Sequence, residues 1–471
     1  MLSVSMLMSA LLVVQVPAMD SGVVVPIPMP MNPVLESALE TAGVRIPMDG
    51  VLEAPPEVAP KPATEPAAVA KPESAKSDKK GWSIGYNNGL TIRPEDREFP
   101  FDFRLSGWIQ NRWVGFIPTQ HTWTDRAGVV RAIRSQNYIE LERARLVGSG
   151  TIGLKDLTYL VNVDADTDSD GGTAKILDAF LSYRFDDTFR LSMGKFRVPA
   201  TREWQAGARD VQDLIDPSMA TTLFRPDRSV GIWATGSVGN YNYHAMMSDG
   251  FNTSTLAPSG LDKRMTFSES VWWEPLGEYG LRTSDFAYRD SPVLRFGHSL
   301  LYNPVRSFDN TLRPEANGIR LTDGSVLTDP NIFGRRTQVL GYDMYLGAID
   351  AAVKYHGMHF AAEGFIRNID NLKGLGRLPS STLTEMGYYV NAGAFVVPQR
   401  WQVSARVSQA FGYRTSTQLG GAINWHPTES ENLRITTGID WLENNAANNS
   451  GANYRAGDSG FQLTMQVHAG F

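Results

Sequence analysis

The chain has 471 residues, a net charge of −6 and no cysteine. Without a long Lys/Arg run it offers no phosphate-tracking face for nucleic acid, and without thiols it has no disulfides, thiolate metal sites or cysteine nucleophiles. The 42% hydrophobic content and mean hydropathy of −0.24 suit a soluble enzyme, but equally a membrane β-barrel, whose strands need apolar residues on one side only.

In chain order, residues 1–18, MLSVSMLMSALLVVQVPA, read as an export signal. The apolar run ends in Val16-Pro17-Ala18, with small residues where a signal peptidase cuts, and is too short for a stable membrane anchor. No Lys or Arg precedes it. Residues 19–98 are expected to be a Pro/Ala-rich periplasmic linker, as in APPEVAPKPATEPAAVAKPESAKSDKK. Frequent proline keeps such a stretch extended, and nothing in it can build a core.

Residues 99–471 are expected to form one all-β domain, a transmembrane antiparallel β-barrel of about sixteen strands. Alternation with a period of two carries this reading. Leu157, Tyr159, Val161, Val163 and Ala165 fall on one side of their segment. Leu177, Ala179, Leu181, Tyr183 and Phe185 do so in LDAFLSYRF, Trp401, Val403, Ala405 and Val407 in WQVSARVSQ, and Leu433, Ile435, Ile439 and Trp441 in LRITTGIDW. The terminal FQLTMQVHAGF repeats the pattern and ends on Phe471. Short links at 186–187, 239–240, 356–357 and 398–400 alternate with long polar stretches near 118–135, 198–227, 304–336, 369–385 and 443–458, the rim asymmetry of an outer-membrane barrel. The stretch 276–292 is too long for the short-turn rim. An even strand number returns the C-terminus to the side of the linker.

The segments RARLVGSGTI (143–152), LDAFLSYRF (177–185), FRLSMGKFRVP (189–199), RPDRSVGIWATGSV (225–238), GYYVNAGAFVV (387–397) and RWQVSARVSQ (400–409) together resemble the phosphate-selective porins of the O and P type. The resemblance implies a sixteen-strand homotrimeric barrel in a Gram-negative outer membrane, with a third external loop folded into the pore. It also implies a terminal aromatic, here Phe471, that the barrel-insertion machinery recognises.

A charge on the lipid face near mid-bilayer costs roughly 2–4 kcal/mol, so arginines on the polar phase should line the lumen. Arg104, Arg145, Arg184, Arg190, Arg295, Arg406 and Arg434 are the candidate pore-lining, anion-binding residues. A guanidinium stays protonated and presents a planar donor fork suited to phosphate or carboxylate oxygens. The bland reading is an Arg wall paired with Asp164, Asp178 and Asp440. The candidate constriction loop, 198–227, brings Arg202, Arg209 and Arg225, with Arg228 just beyond; it also brings five acidic residues and no lysine. Porins of this family that select phosphate concentrate Lys as well as Arg, so the expectation is a weakly anion-preferring pore for small hydrophilic solutes, phosphate among them.

DTDSDGG (166–172) imitates the start of a calcium loop, but Leu177 stands where a bidentate Glu is required, so it reads as a solvated hairpin loop. His356 and His359 lack a third ligand. No metal, cofactor or catalytic set is expected. The competing function classes are an outer-membrane barrel enzyme and a barrel that merely tethers the envelope.

Overall fold

The computed structural model describes residues 81–94, 100–165, 174–206, 213–253, 262, 264–306, 318–448 and 454–471. The expected signal segment, most of the expected linker, the 166–172 motif and Arg209 lie outside the described residues.

Two strands, β1 (Trp82–Tyr86) and β2 (Leu90–Pro94), pair as a hairpin inside the range expected as linker. The local sequence supports this: Trp82, Ile84 and Tyr86 alternate, and Asn88 and Gly89 take the positive φ values of a tight turn. The wall begins with β3 (Phe103–Pro118). A small external hairpin follows, β4 (Thr122–Thr124) with β5 (Val130–Ala132). The wall continues through β6 (Gln136–Ile152), β7 (Leu154–Ala165), β8 (Ala174–Arg184), β9 (Arg190–Arg197), β10 (Arg228–Val238), β11 (Tyr241–Ser248) and β12 (Thr266–Trp273). It runs on as β13 (Val293–Val305), β14 (Gln338–Tyr355), β15 (Met358–Leu375), β16 (Leu383–Val397), β17 (Trp401–Phe411), β18 (Ser416–Trp425), β19 (Leu433–Glu443) and β20 (Gly460–Gly470). Each wall strand pairs antiparallel with its predecessor, and β20 pairs with β3, so sixteen strands close on themselves. Closure removes the open edges that a sheet in lipid cannot tolerate.

At the seam the Phe471 N–H donates to the Gly107 carbonyl at 2.9 Å, and the Gly107 N–H returns a bond at 3.2 Å. Where β20 ends, β2 takes its place along β3, with Leu90 opposite Leu105 and Ile92 opposite Phe103.

The expected alternation holds. On β17, Gln402, Ser404, Arg406 and Ser408 are buried while Trp401, Val403, Ala405 and Val407 are exposed; β20 repeats this with Gln462, Thr464, Gln466 and His468 inward. The outward face carries aromatic bands at both rims. Tyr241, Trp273 and Phe296, and the stacked pair Trp401 and Trp425, mark the short-turn end; Tyr302 stacks on Tyr345, and Tyr388 on Phe411, near the loop end. Amphipathic rings at two levels with aliphatics between are the signature of a lipid-spanning barrel.

Short turns fall where expected: His356 and Gly357, both with positive φ, join β14 to β15 as a two-residue hairpin link. The interior differs from a uniformly polar lumen. Phe180, Phe196 and Trp233 point inward and pack with ring centroids 5.2–5.4 Å apart, because part of the inner wall is covered by protein rather than water.

Candidate functional site

The connection from β9 to β10 folds into the barrel. Its described parts hold two short helices, α1 (Arg202–Gln205) and α2 (Met219–Phe224). The Ser218 side chain caps α2, accepting from the Thr221 N–H at 3.0 Å. The barrel wall then satisfies the backbone donors that an inward loop would otherwise leave bare. The Met219 N–H donates to Gln418 Oε1 at 2.8 Å and the Ala220 N–H to Ser408 Oγ at 3.0 Å. At α1, the Arg202 N–H donates to Glu363 Oε1 at 2.6 Å.

Ion pairs fasten the same loop. Arg112 on β3 makes two parallel bonds to Asp216, each 3.0 Å, and also pairs with Glu142 at 3.3 Å. His359 Nε2 lies 2.7 Å from Asp213. Arg406 on β17 donates to Glu203 at 3.0 Å, to the Asp216 carbonyl at 2.8 Å and to Asn391 at 3.0 Å. Trp204 lies beneath Arg225, 3.8 Å from its ring centroid, with Arg228 at 5.3 Å and Arg197 at 6.0 Å. Burial lowers the Arg225 guanidinium from its ordinary value, and Asp227 works against that shift.

The sequence-predicted arginines divide into groups. Arg145, Arg295 and Arg228 are buried on the inner wall and pair with Asp164 at 3.0 Å, Asp350 at 3.1 Å and Asp178 at 2.8 Å. Arg406 and Arg202 join loop to wall, Arg202 facing Asp350 at 3.8 Å. Arg434 is buried on the inner face. Arg104 is inward at the short-turn end of β3, donating to the Asn87 carbonyl of the β1–β2 hairpin. Arg184 stands on the short-turn rim, exposed, beside Asp156 and Asp187. Arg190 opens β9 beside it. Arg225 faces Asp227 at 3.6 Å.

Several inward residues escaped sequence reading. Arg112 shares the phase of Arg104 on β3 and could have been found that way. Arg367 pairs with Glu385 near the loop end, donating also to the Leu223 and Arg320 carbonyls. Lys354 shares the inward phase of Ala352 on β14 and could have been found the same way, whereas Tyr279 carries no comparable signal.

Residues 122–280 match the family described as phosphate-selective porin O and P. Among solved structures, the chain is similar to the anion-selective porin from Comamonas acidovorans, at 13% identity over 78% of this chain and 99% of that one, with a TM-score of 0.50. The chain has the sixteen-strand barrel fold of the outer-membrane porins. The chain is also similar to the outer membrane channel DcaP of Acinetobacter baumannii, at 10% identity over 79% of this chain and 97% of that one, TM-score 0.49. A further match is OmpF of Salmonella typhi in complex with daunomycin, at 12% identity over 83% of this chain and all of that one, TM-score 0.47. No curated protein matches the chain by sequence.

Proposed function

We propose that this porin passes small hydrophilic solutes by passive diffusion with a weak preference for anions, phosphate and other oxyanions included, and works as a homotrimer. The carrying observation is the convergence of Arg202, Arg225, Arg228 and Arg406 where the inward loop meets the wall, each within 4 Å of a carboxylate. Fixed guanidinium forks in a water-filled passage favour oxyanions, and carboxylate partners hold that preference to a modest level. The words "phosphate-selective" in the matched family's description and "anion-selective" in the name of the Comamonas acidovorans porin support the same reading.

The test is the reversal potential of the purified protein in planar bilayers under a potassium chloride gradient, repeated with potassium phosphate. A modest anion preference in both salts, with conductance steps grouped in threes, is the expected result. Strong cation preference would remove the anion reading.

A further inference from the structure

The stretch already too long for its rim does more than link two strands. Residues 274–292 join β12 to β13 at the short-turn end, where the neighbouring links are as brief as 239–240 and 356–357. The Glu274 N–H bonds the Asn240 carbonyl at 2.9 Å, beside the β10–β11 turn. Further along, Asp285 accepts from the Gly357 N–H at 2.9 Å, and the His356 N–H donates to the Arg289 carbonyl at 3.0 Å, both at the β14–β15 turn. The Phe286 ring lies 5.5 Å from that of Phe395 and 5.1 Å from that of His426, and Gln399 donates to its carbonyl at 3.2 Å. Arg282 pairs with Glu431 before β19. The segment is therefore a strap fastened to four successive turns of the rim.

Its innermost residue is Tyr279, fully buried. Lys354 lies 4.1 Å from the ring centroid and donates to the Tyr279 carbonyl at 2.9 Å. On the other side is Arg202 of the inward loop, 5.3 Å from the ring centroid and donating to the phenol oxygen at 3.4 Å. Burial raises the phenol above its ordinary value, against Arg202 and Arg295, so it stays neutral. A loop entering from one rim and a strap from the other thus meet inside the barrel at one aromatic ring flanked by Arg202 and Lys354.

We infer that the 274–292 strap is the short-turn half of the constriction, and that Tyr279, held between Arg202 and Lys354, locks it to the inward loop so that the two together narrow the passage. This rests on the channel reading above. The ring lies in a packed junction closed to water, so solutes pass only where strap and loop leave the lumen open.

The experiment compares single-channel conductance and potassium chloride reversal potential of the parent with three variants: residues 276–290 replaced by Gly-Asn-Gly, Tyr279→Ala and Tyr279→Phe. Heat-modifiable migration on detergent gels checks that each is a folded barrel. The strap replacement should raise conductance about twofold or more, Tyr279→Ala should raise it less, and Tyr279→Phe, which keeps the ring, should match the parent. A silent parent beside a conducting replacement would also support the inference. Folded variants that conduct like the parent, with the same reversal potential, would overturn it and leave the channel reading standing. Silence from every folded variant would overturn both.

Discussion

Asp216, carried by the inward loop, is gripped by Arg112 of the first wall strand through two parallel hydrogen bonds of 3.0 Å each. The planar guanidinium matches the carboxylate fork, and both side chains are almost wholly shielded from water. Removing one partner of such a pair costs about 3–5 kcal/mol, because the remaining charge stays buried. Arg112→Ala should therefore release the loop. Hydrogen exchange should speed up across residues 213–224 while amides of the wall strands stay protected. Arg112→Lys keeps the charge but not the fork, and should fall between variant and parent. Unchanged exchange in both would refute the anchor.

Arg406 and Glu203 make a second loop-to-wall contact, 3.0 Å apart. Arg406→Ala subtracts one positive charge from the inner surface, so the anion-to-cation permeability ratio should fall, by about two- to threefold. Glu203→Gln added to Arg406→Ala should restore much of the ratio, since the pair is then removed together. Equal ratios in parent, single and double variants would show that neither group faces the ion path.

Proton linkage should appear on the external side. Asp458, at the base of the last external loop, is raised by burial to about 7, with Arg455 pulling the other way. Between about pH 4 and pH 7 the folded chain keeps a proton that the unfolded chain has lost. Stability therefore falls as pH rises through this window and is flat above it, by on the order of 1–3 kcal/mol. The melting-temperature advantage of Asp458→Asn over the parent should grow from pH 4 to pH 7 and then level off. Parallel curves at every pH would contradict this.

Phe471 extends the closing seam beyond the paired residues Gly460–Gly470. Phe471 exchanges two backbone bonds with Gly107, and a Cβ on Gly107 would lie 2.5 Å from the Arg145 carbonyl and 3.2 Å from the Phe471 ring. Deleting Phe471, or substituting Gly107→Val, should slow insertion into lipid vesicles several-fold or more, measured by the appearance of the heat-modifiable form. The ring also tests the assembly signal: Phe471→Ala keeps the backbone bonds, so slowed assembly only in the presence of the insertion machinery would assign the effect to recognition.

The wall was legible because lipid outside and water inside impose opposite demands on alternate residues, which β17 and β20 meet without exception over Trp401–Ser408 and Phe461–His468. Legibility failed where protein replaces water inside. Trp272 and Trp273 are neighbours, yet Trp272 is buried within the barrel and Trp273 joins the outer aromatic band. The arginines could be placed by phase, but not their partners: Arg112 meets Asp216, and Arg406 meets Glu203, across long stretches of chain that no local pattern encodes. The strap announced itself only as surplus length, because Tyr279, Leu281 and Phe286 follow the irregular backbone of a connection and not a pleat.

The pairing of inner-wall guanidinium groups with carboxylates changes what a visiting ion encounters. A tethered acid acts as a rival that never diffuses away, present at the high effective concentration of any linked ligand. An incoming oxyanion has to trade places with it, and is readily evicted when it swings back. On the anion-preferring reading proposed above, Arg145 with Asp164, Arg228 with Asp178 and Arg295 with Asp350 would form shallow stops, entered and left quickly, which favours throughput over capture.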